Sequence, residues 1–314
     1  MNICLYCYQP LSAPLIDEHN AQQTEFHPGC FKQFFGKAEH LAQPLIQASK
    51  QQELPAAAAA SILRRSCVVA GVQPKLPIRL LNDQLSDYLL KPPHPDFPGL
   101  AENEDLTMHL AEVSGIQTAK HTLIREASGK FAYLTRRFDR EGKNKLATED
   151  FCQLSERLTR HKYRGSLEKC GKLIDQFTQN KGAKQRFFEL AIFCFITGNA
   201  DMHLKNFSLM ESPDGEFSLS PAYDLVNTAI AMPQDPEEVA LTINGKKSRL
   251  KPRDFHQLAQ SLAIPAQQRD LIYTHFQTII PEWLNWVQRS FLSTEQKNAY
   301  RELILERSQR LFKA

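Results

Sequence analysis

No run of about eighteen apolar residues occurs in the sequence, so no membrane-spanning helix is expected. The opening stretch MNICLYCYQPL holds no basic region followed by an apolar core, and the pattern of a secretory leader is missing. Charge of one sign is also scarce. The 38 Lys and Arg against 35 Asp and Glu leave a net charge of +3, too little for strong nucleic-acid binding by this chain alone. There is no internal repeat and no low-complexity tail. The seven cysteines (Cys4, Cys7, Cys30, Cys67, Cys152, Cys170 and Cys194) are odd in number and widely spread, which argues against a disulfide framework. The expectation is a cytoplasmic protein with no membrane partner. What is present is ordinary: 314 residues, 42% hydrophobic and 23% charged, enough for a sizeable core and two or three domains.

Patterning divides the chain into a small unit over 1–36, an Ala- and Gln-rich helical connector over 37–65, a β-rich lobe over 66–140 and a mainly helical lobe over 141–314. In PKLPIRLL the residues Leu76, Ile78 and Leu80 alternate, and Tyr88-Leu89-Leu90 follows an Asn82-Asp83 turn signal; both read as antiparallel strands. Leu106, Leu110 and Val113 recur at helical spacing and are closed by Gly115. HTLIRE and FAYLTRRF form a further strand pair around Ser128-Gly129. The segment 184–197 leaves almost no polar face, so it predicts a buried helix. The fold class is α+β, with a β-rich small lobe ahead of a helical large lobe.

The strongest chemical signal follows that buried helix. Gly198-Asn199-Ala200-Asp201-Met202-His203-Leu204-Lys205-Asn206 places an aspartate and an asparagine five residues apart on a loop. Phosphoryl-transfer loops of protein kinases use this spacing: the Asp orients or accepts the substrate hydroxyl proton and the Asn binds magnesium. Lys205 is placed to neutralise charge on the transferred group. Two short strands joined by Ser212-Pro213-Asp214-Gly215 then return the chain to Tyr223-Asp224, offering a second hard oxygen ligand for magnesium. Lys91 ends a predicted strand, where a phosphate-contacting lysine belongs, and Glu104 in the next helix is its natural partner. Each residue taken singly also suits a polar turn, a solvated lysine or a helix-end glutamate; the ordered set points to catalysis.

Near the N-terminus, Cys4-x2-Cys7 and His27-x2-Cys30 stand nineteen residues apart. Two such pairs can converge on one tetrahedral ion, and a Cys₃His set suits structural zinc. The alternative is two reduced, buried cysteine pairs with an incidental histidine. So short a segment has too little core to fold without a staple.

The motifs GVQPK (71–75), LLKPP (89–93), AENE (101–104), RRFDR (136–140), EDFCQ (149–153), GNADMHLKNFSL (198–209) and PAYDL (221–225) together resemble the HipA family of bacterial serine/threonine kinase toxins. The resemblance covers roughly residues 66–314. His203 stands where general protein kinases carry a lysine. The short, HipT-like form, which lacks most of the large N-terminal subdomain, shares KP followed by DFPGLAENE. The resemblance implies a two-lobed protein-kinase-like fold and use of ATP and Mg2+. By it Asp201 is the catalytic residue, Asn206 and Asp224 are magnesium ligands, and Lys91 contacts the ATP phosphates. His203, Tyr223 and Gln153 contact nucleotide, Arg136 to Phe138 form the hinge under adenine, and Gly71 closes the phosphate loop. The implied partners are a protein substrate such as an aminoacyl-tRNA synthetase and a helix-turn-helix antitoxin of the HipB kind. DNA is reached only through that antitoxin, and a separate small chain would supply the missing subdomain. The family's phosphate-loop serines are absent: Val68-Val69-Ala70 carries no hydroxyl, and Ser66 is nearest. Control by a partner is therefore expected. A pseudokinase that only binds an antitoxin, and a kinase of lipids or small molecules, are the competing readings.

Overall fold

The structure, a computed structural model, describes residues 3–11, 15–16, 23–35, 75–78, 88–126, 128–141, 144–180, 182–212 and 215–312. The expectations for the 37–65 connector, Gly71, Ser66, Val68 and Ala70 lie outside the described residues. The chain divides into two compact units. The first holds residues 1–105, 120–137 and 289–291; the second holds 106–119, 138–288 and 292–314.

In the first unit, β1 (Leu15–Ile16) and β2 (Gln23–Thr24) pair antiparallel, and α1 spans Pro28–Phe35. Four strands, β3 (Leu76–Ile78), β4 (Tyr88–Lys91), β5 (His121–Arg125) and β6 (Phe131–Arg136), form an antiparallel sheet in the order β3-β4-β6-β5. The β5–β6 hairpin turns at Gly129, whose φ of 81° is open to glycine at no steric cost. The register sets Leu90 opposite Leu134 and Lys91 opposite Tyr133, so the end of β4 is a central, buried position. Helix α2 (Leu100–Val113) begins in this unit, and Gly115 at φ 77° follows it, the usual αL stop.

The second unit carries two small sheets. One is the hairpin β7 (Arg140–Glu141) and β8 (Asn144–Lys145). The other combines β9 (Thr148–Asp150), β10 (Ser208–Glu211) and β11 (Phe217–Leu219), with β10 central. Its helices are α3 (Phe151–Leu154), α4 (Leu167–Phe177), α5 (Ala183–Ile196), α6 (Thr228–Ala231), α7 (Pro252–Ser261), α8 (Ala266–Arg289) and α9 (Thr294–Phe312). Helix α5 carries its polar residues in its first half and is buried at Phe187, Phe188 and every position from Leu190 to Ile196, as the sequence predicts. Each such phenylalanine contributes roughly 1.5–3 kcal/mol by leaving water. Arg307 of α9 donates from Nη1 to the Phe195 carbonyl at 2.8 Å, satisfying an end-of-helix acceptor that burial would otherwise strand. The rigid end of α5 is what the following loop stands on.

Candidate active site

Thr197 ends α5, and Gly198 turns the chain at φ 76°. A side chain there would run into Leu303 and lie 2.7 Å from Asn227 Oδ1, so the position needs glycine for space as well as for φ. The next residues are held by short hydrogen bonds. Thr228 donates to the Gly198 carbonyl at 3.1 Å and accepts from the Ala200 N–H at 2.8 Å. The Asp201 N–H donates to Asn199 Oδ1 at 3.0 Å. The Asp201 carbonyl accepts from the His203 N–H at 2.8 Å and from Asn206 Nδ2 at 2.9 Å. The loop thus closes on itself across the five-residue interval, with the Asn206 amide nitrogen engaged.

The Asp201 carboxylate accepts from the Tyr163 hydroxyl at 2.5 Å. Burial pushes the Tyr163 phenol well above its usual pKa, and the Asp201 charge and hydrogen bond push it further, so Tyr163 remains a donor throughout the neutral range. Its ring meets His203 edge-on at 4.9 Å. Lys205 pairs through Nζ with Asp150 Oδ2 at 2.6 Å. Asp150 is itself fixed as the N-cap of α3: its Oδ1 accepts from the Gln153 N–H at 2.9 Å, and the Gln153 side chain accepts from the Asp150 N–H at 3.0 Å. This reciprocal capping box engages the Gln153 side chain that the resemblance assigns to nucleotide.

The β10–β11 hairpin brings the Ser220 N–H to the Ser208 carbonyl at 2.9 Å. Tyr223 then reaches back. Its hydroxyl donates to the Lys205 carbonyl at 2.9 Å and lies 2.6 Å from Ser208 Oγ, and burial holds that phenol protonated. Phe138 stacks obliquely on Tyr223 at 5.3 Å. Asp224, next in the chain, sits at φ 55°, a left-handed conformation costing on the order of 1 kcal/mol for a residue other than glycine. Asn206 Oδ1 and the Asp224 carboxylate are hard oxygen donors of the kind magnesium takes.

In the first unit, Lys91 Nζ pairs with Glu104 Oε1 at 2.5 Å, both side chains at most 5% exposed. The ammonium also lies 5.3 Å from the Tyr133 ring centroid. Arg136 ends β6 with an exposed side chain. Of the predicted residues, the second unit therefore gathers Asp201, His203, Lys205, Asn206, Tyr223 and Asp224, with Gln153 and Phe138 alongside. Lys91, Glu104 and Arg136 belong to the first. Two partners were missed in the sequence: Tyr163, and Asp150 as the mate of Lys205. They are 38 and 55 residues from the groups they hold, and no local period signals such a contact.

The cysteine and histidine atoms also converge. Among the described residues, one ligand atom each from Cys4, Cys7, His27 and Cys30 lies within 4.8 Å of all the others.

The model of the HipA-like C-terminal domain matches residues 67–283. The chain belongs to that family. A Haemophilus influenzae protein named as a proposed kinase is 32% identical to this HipA-like chain over 182 residues, covering 51% of the chain and 52% of the relative. The serine/threonine-protein kinase toxin HipA of Shewanella oneidensis is 30% identical over 188 residues, 51% of the chain and 42% of the relative. The chain thus spans about half the length of the curated relatives it matches. Among solved structures, the HipA of a Shewanella oneidensis HipA–HipB–operator DNA complex aligns with a TM-score of 0.65 at 23% identity, over 77% of this chain and 64% of that one. The Helicobacter pylori proinflammatory kinase CtkA aligns at 0.51 and 15% identity, over 76% and 92%. The fold is the α+β fold of HipA-like kinases, as the order of strands and helices implies.

Proposed function

We propose that this HipA-like chain transfers the γ-phosphate of ATP to a serine or threonine hydroxyl of a protein. The observation that carries the reading is the loop 198–206. It ties Asp201 and Asn206 together through a side chain-to-backbone bond and fixes the Asp201 carboxylate with Tyr163. In the proposed step the Asp201 carboxylate takes the hydroxyl proton while the substrate oxygen bonds to the γ-phosphorus. The bond from that phosphorus to the β,γ-bridging oxygen breaks, and ADP leaves. Lys91, held by Glu104, contacts ATP phosphate. Lys205 is assigned to the transferred group, and His203, Tyr223 and Phe138 to the nucleotide. Magnesium, when bound by Asn206 and Asp224, neutralises charge on the phosphate oxygens.

The solved relative in complex with HipB and operator DNA supports an antitoxin as partner; its helix-turn-helix form, with DNA contacted through it, is what the family resemblance implies. An aminoacyl-tRNA synthetase is the protein substrate the family resemblance implies. Partner control, a cytoplasmic location and a separate small chain as a second partner belong to the same reading.

The experiment is incubation of purified protein with γ-labelled ATP and magnesium, alone and with aminoacyl-tRNA synthetases, with Asp201→Asn as control. Label on Ser or Thr of a protein, lost in the control, is expected. Label appearing only in lipid or small-molecule fractions, or ATP binding without transfer to any acceptor, would overturn it.

A further inference from the structure

The N-terminal cysteine cluster belongs to the first unit, whereas the loop 198–206 belongs to the second. Cys4 and Cys7 lie on one tight knuckle, in which the Tyr8 N–H donates to the Cys4 carbonyl at 3.0 Å and the Cys4 N–H to the Gln9 carbonyl at 2.9 Å. Tyr8 takes φ 58° to close it. His27 and Cys30 come from the start of α1, where the Phe31 N–H donates to the His27 carbonyl at 2.9 Å. Backbone from two separate stretches thus presents two ligands each, and the Leu5 N–H ties them by donating to the Glu25 carbonyl at 2.9 Å.

The distances carry the chemistry. His27 Nδ1 lies 3.4 Å from Cys7 Sγ and 3.8 Å from Cys30 Sγ. A tetrahedral zinc with about 2.3 Å to sulfur and about 2.0–2.1 Å to nitrogen sets the sulfur–nitrogen edge at roughly 3.5 Å and the sulfur–sulfur edge at roughly 3.8 Å. The other imidazole nitrogen, Nε2, is 3.2 Å from the Pro10 carbonyl. A carbonyl only accepts, so Nε2 bears the proton and Nδ1 turns its lone pair toward the thiols. Metal-bound histidines are fixed by this kind of backbone partner.

We infer that Cys4, Cys7, His27 and Cys30 form a structural zinc site that seats the N-terminal segment on the sheet of the first unit. The seat is aromatic and polar. Phe34 and Phe35 of α1 lie 5.8 and 6.3 Å from Tyr88, in the strand that ends at Lys91. Tyr8, next to Cys7, donates to Asp105 Oδ2 at 2.6 Å. Asp105 follows Glu104 in α2, and its Oδ1 lies 2.7 Å from His121 Nδ1 of β5. Arg125 of β5 pairs with Glu25 at 2.7 Å. The metal would close a segment of about thirty residues that lacks the apolar area to order itself, so metal binding and ordering of that segment are one event. All four positions are filled by protein ligands, which leaves no open site for hydrolytic chemistry.

The test uses the full chain, expressed without a metal-affinity tag. Elemental analysis is expected to find about one zinc per chain, retained by His27→Cys, which keeps four ligands, and lost from Cys30→Ser. To separate loss of metal from loss of fold, cobalt exchange is run on the wild-type protein. Strong visible ligand-field bands and thiolate-to-cobalt charge transfer are expected. After chelation, amide-exchange protection is expected to fall over 4–10 and 25–35 and to hold over 183–196. A metal-free protein with full protection in the N-terminal segment, a pale six-coordinate cobalt spectrum, or iron in place of zinc would each overturn the assignment. None of these readouts depends on kinase activity.

Discussion

Lys91 and Glu104 meet at 2.5 Å with 5% and 4% of their side chains exposed; Lys205 and Asp150 meet at 2.6 Å with 35% and 12% exposed. The lengths are alike and the surroundings are not. A buried pair gives up the hydration of two ions, so its net contribution to stability is small, yet removing one member leaves a charge with no water around it. A part-exposed pair contributes about 0–1 kcal/mol and exchanges partners at little cost. The first arrangement suits a lysine that must wait in one place for a phosphate. The second suits a lysine that can leave its aspartate when another anion arrives. One pair is buried and the other part-exposed, so breaking each of them tests a different cost.

The reference point for both pairs is the group that performs the proposed chemistry. Asp201→Asn is expected to lower phosphoryl transfer by roughly 10²–10⁴-fold while leaving ATP affinity within a few-fold, because the amide keeps the shape and an acceptor for Tyr163. Label transfer and calorimetric ATP titration on the same preparation check it. Turnover at the wild-type rate would remove Asp201 from its role.

The next largest effect breaks the fixed pair. Glu104→Ala removes the carboxylate partner of the buried Lys91 ammonium, and a loss of about 3–5 kcal/mol in urea unfolding is expected. The double variant Lys91→Met, Glu104→Leu restores much of that stability with no transfer activity, since an apolar pair of similar volume replaces the ions. A Glu104→Ala protein less than about 1 kcal/mol weaker than wild type would show that water or another group takes up the lysine charge.

What the sequence disclosed and what it concealed follow the same division. The hairpin around Gly129, helix α2 with its Gly115 stop, the apolar α5 and the β10–β11 return all show a period or a turn residue within a dozen positions, and the structure has them. Asp201 and Asn206 were legible because their spacing lies within one loop. The Lys91–Glu104 pair was legible because strand end and helix start are near neighbours in sequence. Tyr163 was invisible: a tyrosine in a polar stretch carries no mark of the carboxylate it serves 38 residues away. Gln153 shows a role the motif does not announce, since its side-chain oxygen also takes part in the capping box at Asp150. Lys205, read as facing the transferred phosphoryl group, has Asp150 as its partner here.

Tyr163→Phe is a smaller perturbation that sharpens the exchangeable side. It removes one hydrogen bond to a carboxylate, worth about 1.5 kcal/mol at the lower end for a charged acceptor, or about tenfold in rate. The expected result is a kcat about tenfold lower with an unchanged KM for ATP, because Tyr163 holds the carboxylate and is not assigned to nucleotide. A raised KM with normal kcat would place Tyr163 in nucleotide binding instead.

The smallest expected effect comes from Asp150→Asn, and it tests whether the second pair is exchangeable at all. Asparagine caps a helix about as well as aspartate, so the Oδ1 bond to the Gln153 N–H survives and α3 is left intact. Only the charge facing Lys205 is lost. Stability should change by less than about 1 kcal/mol, as for a part-exposed ion pair. Lys205 then loses its resting partner and gains rotamer freedom that must be given up again in the transition state, at roughly 0.5–1.5 kcal/mol for such a side chain. A fall in kcat of several-fold, on the order of 2–10, follows from that range, with KM for ATP unchanged. Lys205→Ala should fall further, and in the double variant the aspartate substitution should add nothing, because its only route to the rate runs through the lysine. Stopped-flow or steady-state label transfer on the four proteins of the cycle measures this directly. Additive losses would mean that Asp150 acts on the reaction by another path and that the Lys205–Asp150 contact is a surface pair with no part in the chemistry.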